Sequence, residues 1–308
     1  MKVKGLDTGY LYTKDNEKRI FRSCYGKSAI SMGSTSLISI DNEDFSVGAG
    51  DRTVDVDKTD SKLTEVCVLT NLAMTGSDEY NLVVGLPISQ FKSQKEKFKK
   101  MILGYNSRYV VYRGEEMKIK INDVLVFPQC IGALMSLNDF RTDAIIFDFG
   151  GLTIDLAYVE MMCGVPTLIK YDTWTEGIQK IYSKVIDQVN YKFNLSLSLD
   201  YAEKILTNDL IINGVAQSKD FLLPTLNHYL EPILTEFQLN YPSKTTRIYL
   251  CGGSAVLFRD IFMKRFPNTV LVENSQFANA IGYYKVGIQK FGNPEPTKST
   301  TCNCMNRR

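Results

Sequence analysis

At 308 residues and 44% hydrophobic content, the chain is long enough for about two domains and apolar enough to pack a core in each. Its 36 Lys and Arg nearly balance 34 Asp and Glu, a formal net charge of +2, which excludes a broad polyanion-binding surface and predicts no direct DNA binding. A single histidine excludes multi-histidine metal centres, seven cysteines without zinc spacing fit reduced thiols, and the absence of an export signal or bilayer-length apolar run predicts a cytoplasmic protein without membrane contact.

In chain order, strands are predicted near 2–7, 10–14 and 19–23. They enclose a strand, carboxylate, glycine turn, strand plan that carries Asp7, Thr8, Gly9, Tyr10 and Lys14, the lysine being suited to phosphate. An exposed polar insertion rich in Gly, Ser and Asp follows, over about 24–60. Within it Gly26, Lys27 and Ser28 imitate the end of a phosphate-binding loop, but Phe21 stands where that loop needs glycine. Leu63, Val66, Leu69 and Leu72 then predict a helix, residues 82–86 a buried strand, and Phe91, Phe98 and Ile102 an amphipathic helix. Lys92, Lys95, Lys97, Lys99 and Lys100 on that helix read as a solvated face, with a contact surface as the alternative. Strands restart near 144–149, 152–160 and 165–171. Helical segments near 176–192, 200–207 and 219–239, a strand at 247–251, and helices near 255–265 and 276–290 complete the plan. Trp174 is expected beside the second core.

The richest segment runs from Asp148 through Phe149, Gly150, Gly151, Leu152, Thr153 and Ile154 to Asp155, two carboxylates flanking a glycine turn between strands. Glycines there let backbone N–H groups approach a polyphosphate, while carboxylates beside them can hold hydrated Mg²⁺. The first segment repeats this plan, so the site is built twice. A third element, the strand 247–251 running into Gly252, Gly253 and Ser254, bares backbone that can lie flat against a nucleoside before a helix starts.

These three elements, in this order over nearly the full length, resemble the phosphate and adenosine motifs of actin-fold ATPases, and within them the ParM-type plasmid-segregation actins. Val84, Gly85, Leu86 and Pro87, the string from Ile119 to Gln129, and Asn274 to Gly282 follow the order of that branch. The resemblance implies an α/β fold of two similar ribonuclease-H-like halves around a nucleotide cleft. The first half would be 1–143 with 276–290, the second 144–275, and 291–308 a flexible tail. Helices near 129–140 and 276–290 would cross between the halves, Ala278 and Gly282 allowing close packing. It implies Mg²⁺-dependent ATPase activity, with GTP a partial substitute, coupled to head-to-tail filament assembly. Plasmid DNA would be segregated through a ParR-like DNA-binding adaptor on a centromere-like repeat; a cell-shape or other bacterial cytoskeletal actin is the alternative reading. Asp7 and Asp148 would organise the metal, Gln129 would position the attacking water, and Asp155 would assist it or cap its hairpin. Glu176, Gly177, Glu203 and Lys204 fall where the family contacts ribose and base. Two departures stand out: Gln129 occupies the place of a catalytic glutamate in ParM, and Tyr10 with Leu11 replaces small hydroxyl residues.

Overall fold

A computed structural model describes residues 2–26, 36–50, 58–59, 61–76, 79–138 and 140–292. Its first part contains β1 (Lys2–Thr8), β2 (Tyr12–Asp15), β3 (Ile20–Arg22), β4 (Tyr25–Gly26), β5 (Ser36–Ile40), β6 (Glu43–Val47), α1 (Lys62–Ala73), β7 (Glu79–Leu86), α2 (Ile88–Leu103), β8 (Arg108–Tyr112), β9 (Glu115–Pro128) and α3 (Ile131–Ser136). The second contains β10 (Ala144–Phe149), β11 (Ile154–Met162), β12 (Val165–Trp174), α4 (Tyr182–Phe193), α5 (Tyr201–Thr207), β13 (Leu210–Ile212), β14 (Val215–Gln217), α6 (Leu223–Asn240), β15 (Arg247–Cys251), α7 (Ala255–Arg265), β16 (Thr269–Leu271) and α8 (Ala278–Phe291). No helix among the described residues is long and apolar enough to cross a membrane.

The two larger sheets share a plan. In the first, β3-β2-β1-β7-β9 lie side by side; in the second, β12-β11-β10-β15-β16 do. Each is an antiparallel meander whose first strand also pairs in parallel with a later strand. Period-two alternation divides the burial of β10. Ile145, Phe147 and Phe149 enter a core built with α4, α6 and α7, where Phe147 stacks on Trp174 at 6.3 Å. Ala144 and Ile146 face the opposite way, toward Cys130, Ala133, Leu134 and Ala278.

The supposed exposed insertion is corrected where it is described. β5 and β6 pair with each other, and β5 with β8, extending the first sheet, and Ile38, Ile40, Phe45 and Val47 are buried in its core. Alternation of Ile38 and Ile40 with polar Ser39 is the strand signal that the surrounding Gly, Ser and Asp obscured. The long β9 joins this extension to β7: Ile119 and Ile121 turn inward while Lys118 and Lys120 face water. β8, the hairpin β13–β14 and the short β16 lie outside the expected elements. The helix expected near 129–140 is limited to 131–136, because Leu137 turns extended and Lys285 Nζ donates to the Ser136 carbonyl at 2.6 Å. α8 packs against α3 closely enough that a β-carbon on Gly282 would stand 1.7 Å from the Gly132 carbonyl oxygen. The predicted tail beyond 292, and Lys27 and Ser28, fall outside the described residues.

Candidate functional site

Strand register assembles the site. In the β1–β2 hairpin Asp7 lies opposite Lys14, and in the β10–β11 hairpin Asp148 lies opposite Asp155. Parallel pairing sets Cys251 of β15 beside Asp148, so Gly252 and Gly253 emerge next to the second hairpin. The hairpins border one cleft. Of the residues predicted from sequence, Asp7, Gly9, Tyr10, Lys14 and Gln129 line it on one side, and Asp148, Gly150, Gly151, Thr153, Asp155, Glu203, Gly253 and Ser254 on the other.

The polar contacts are specific. Lys14 Nζ lies 3.0 Å from Asp7 Oδ2, and Gln129 Nε2 donates to Asp7 Oδ1 at 3.1 Å. Burial opposes the charge on Lys14, yet Asp7 and Asp148 outweigh it and hold its pKa above the usual value. Burial pushes the Asp148 pKa up to about 6; Lys14 counteracts this, while Asp7 and Asp155 add to it. Asn279 Nδ2 donates to Asp148 Oδ2 at 2.6 Å. Asp155 is likewise raised by burial, partly offset by hydroxyl donation from Thr173 at 2.7 Å and Thr153 at 3.1 Å.

Backbone geometry fixes two of these groups. Gln129 precedes a three-residue turn in which the Ile131 N–H donates to the Gln129 carbonyl at 2.8 Å and Cys130 takes φ 65° and ψ −60°. That conformation is strained for a side-chain-bearing residue, and the buried Cys130 is held in it by its packing. Gly252 has φ 93°, and a β-carbon there would fall 2.5 Å from Asp148 Oδ1, so glycine is what lets the carboxylate sit against this turn.

Six of the predicted residues do not line the cleft. Thr8 lies behind the first turn, its buried hydroxyl making no hydrogen bond among the described residues. Leu152 and Gly177 brace the second turn, the Gly177 N–H donating to the Leu152 carbonyl at 2.9 Å. Gly252 supports Asp148 from the side. Glu176 is ion-paired with Lys180 on the surface, and Lys204 is exposed with its ammonium over the Tyr201 ring. Glu203 does reach the cleft, held there by Arg22 Nη2 at 3.2 Å.

Other cleft residues carry no motif of their own. Tyr12, Ile178, Tyr182, Leu206, Thr207, Leu257 and Gln276 are among them. Asn279 was signalled indirectly: it stands three residues before Gly282, on the face of α8 turned toward the first sheet and α3. Lys58 had no signal beyond its charge, yet it is 5% exposed and acted on by Asp7, Asp155 and Asp148.

Among the described residues no three acidic, cysteine or histidine side chains converge as a metal cage. Mg²⁺ needs none, since it keeps several waters and binds through one or two carboxylates together with phosphate oxygens.

Comparison with known proteins bears on the same segments. Residues 5–132 match the family model of actin-like proteins, N-terminal domain. An archaeal actin homologue in complex with ADP superposes with a TM-score of 0.76 at 20% identity, covering 94% of this chain and 100% of its own. ParM from a 15-stranded Clostridium botulinum filament gives 0.74 at 18%, covering 93% and 99%. Bacillus thuringiensis ParM with AMPPNP gives 0.69 at 17%, covering 93% and 98%. A search of curated proteins gave no match. Residues 5–132 thus match an actin-like N-terminal domain, and along its length the chain has the actin fold that these solved structures share.

Proposed function

We propose that this protein binds and hydrolyses ATP with Mg²⁺ in the cleft, accepting GTP in part, and that the nucleotide state controls head-to-tail filament assembly. The observation that carries this reading is the facing of two hairpins, one bearing the Asp7–Lys14 pair and the other the Asp148–Asp155 pair, with Gln129 bonded to Asp7 between them. Structural relatives with ADP and AMPPNP, and one in a filament, support it.

The side chains fit a divalent cation. Asp7, Asp148 and Asp155 are all buried, and burial raises the Asp148 pKa against the pull of Lys14. Asp7 and Asp148 would hold the waters of Mg²⁺, which when bound neutralises charge at phosphate oxygens. Lys14 would bind phosphate as a point charge. Gln129 donates through Nε2 to Asp7, which leaves Oε1 to accept from an attacking water and orient it. The Gly150 N–H donates to the Thr153 carbonyl at 3.0 Å and the Ser254 N–H to the Phe149 carbonyl at 3.3 Å, which fixes both turns beside the cleft.

A terminal phosphate held by both hairpins draws the two sides of the cleft together; its loss loosens them and the subunit contact that depends on their closure. A repeated heterologous contact that does not close into a ring builds a filament. We assign residues 1–143 with 276–290 to one domain and 144–275 to the other, and the filament's task to plasmid segregation through a ParR-like adaptor on a centromere-like repeat, in the cytoplasm. High-speed pelleting tests the core of this reading. Polymer should sediment with Mg²⁺-ATP or AMPPNP and much less without nucleotide; equal pelleting in every state refutes nucleotide-coupled assembly.

A further inference from the structure

Lys58 precedes α1, outside every motif that marks the cleft, and its side chain is 5% exposed. The ammonium stands 4.5 Å from the centroid of the Tyr10 ring and makes no hydrogen bond among the described residues. Burial pushes its pKa down to about 8 against the pull of Asp7, Asp155 and Asp148. Those carboxylates are engaged elsewhere: Asp7 with Lys14 and Gln129, Asp155 with Thr173 and Thr153, Asp148 with Asn279. Thr8 Oγ1, in the same small cavity behind the first turn, is also buried and makes no hydrogen bond among the described residues. Burying an ammonium without a hydrogen bond is costly to the folded state. Two such unmet donors on one side of a phosphate-type turn point to an anion that meets them.

Tyr10 connects this cavity to the cleft, since it borders both. The cavity is lined by Thr8, Gly9 and Tyr10 of the first turn and by neither Gly253 nor Ser254. The ammonium lies over the Tyr10 ring in a cavity that Thr8 and Gly9 of the first turn also line, so it stands against that turn.

We propose that Lys58 is a phosphate-contacting residue that reaches past Tyr10 to the outermost phosphate of a nucleoside triphosphate, so that it distinguishes triphosphate from diphosphate. The assignment rests on the nucleotide reading above and adds a second lysine, from outside the hairpins, to Lys14. In place of an ion pair that a diphosphate also satisfies, it supplies charge where only a triphosphate extends.

The test is calorimetric titration of the full chain and of Lys58→Met with Mg²⁺-AMPPNP and with Mg²⁺-ADP, below the concentration at which filaments form. Lys58→Met should weaken AMPPNP binding at least tenfold and ADP binding less than threefold. Unchanged affinity for both, or an equal loss for both, overturns the role of Lys58 while leaving the nucleotide reading in place. If the unaltered chain binds neither nucleotide, the nucleotide reading fails and takes this assignment with it. Thermal unfolding without nucleotide gives an independent check. Because methionine fills the lysine stem and removes an unsatisfied charge, the variant should melt at or above the parent temperature; a clear drop shows a structural role and overturns the proposal.

Discussion

The two hairpins share a backbone plan and differ in charge. In β1–β2 the register sets a carboxylate, Asp7, against an amine, Lys14; in β10–β11 it sets Asp148 against another carboxylate, Asp155. The first hairpin is neutralised by its own side chains at 3.0 Å. The second is held by neutral partners, the amide of Asn279 and the hydroxyls of Thr153 and Thr173, and burial raises both of its acids. One plan used twice therefore gives a direct ion pair on one side and, among the described residues, two buried acids without one on the other. Side-chain changes on the second side should weigh most on chemistry.

Asp148→Ala puts the largest effect on that difference. It removes the acid that faces the proposed metal, and Mg²⁺-dependent phosphate release should fall by about a thousandfold or more, with nucleotide-driven assembly weakened alongside. Phosphate release at saturating nucleotide is the measurement, and turnover at the parent rate would show that the second hairpin is structural.

Gln129→Ala acts on the first side, where no charge is lost. Glutamine cannot serve as a strong base near neutral pH, so it contributes by position: phosphate release should slow by about ten- to a thousandfold, roughly 1.4 to 4 kcal/mol. Assembly should persist, and filaments should last longer, because the triphosphate state survives. Light scattering followed together with phosphate release separates the two. Normal hydrolysis would transfer the water-positioning task to another group, with Asp155 next in line.

The same asymmetry predicts a stability effect without nucleotide. The Asp148 pKa is about 6 in the folded chain against 3.8 for the free side chain. Between those values the folded state holds a proton that the unfolded state has released, so stability falls as pH rises from about 4 to 6 and is flat above. The difference amounts to roughly 3 kcal/mol. Asp148→Asn keeps the shape and the acceptor for Asn279 but cannot ionise. It should raise the melting temperature above pH 6 and lose that advantage below pH 4; a destabilised variant at pH 7 would mean that Lys14 compensates Asp148 fully.

What could be read from the sequence follows from how local its causes are. Carboxylate, glycine turn and strand alternation lie within eight residues of one another in residues 148–155, so the hairpin was visible there. Lys58 was not, because its burial is set by Tyr10, Thr8 and the first hairpin, about fifty residues earlier in the chain. Glu176 and Gly177 misled in a related way: their place beside the second turn is right, but the Glu176 side chain pairs with Lys180 on the surface, and Gly177 supports Leu152 from behind. The β5–β6 hairpin was hidden by composition, since its four buried apolar residues are diluted by charged and small neighbours. The reach of α8 back to the first sheet came from resemblance rather than from periodicity, which reports a helix's apolar face but not its partner.

The smallest expected effect concerns a direct ion pair between the two sides, Arg22 on β3 with Glu203 on α5 at 3.2 Å. If closure depends chiefly on the buried acids of the second hairpin, this pair is secondary. Both side chains are partly exposed, and pairs of that kind contribute about 0 to 1 kcal/mol and are screened by salt. Arg22→Ala should therefore shift stability by less than about 1 kcal/mol and weaken ATP binding by no more than about fivefold. Added salt should reduce the parent's affinity toward that of the variant, while the variant changes less. Affinity titrations at low and high salt decide it: a loss as deep as that of Asp148→Ala would move the control of closure from the second hairpin to this latch.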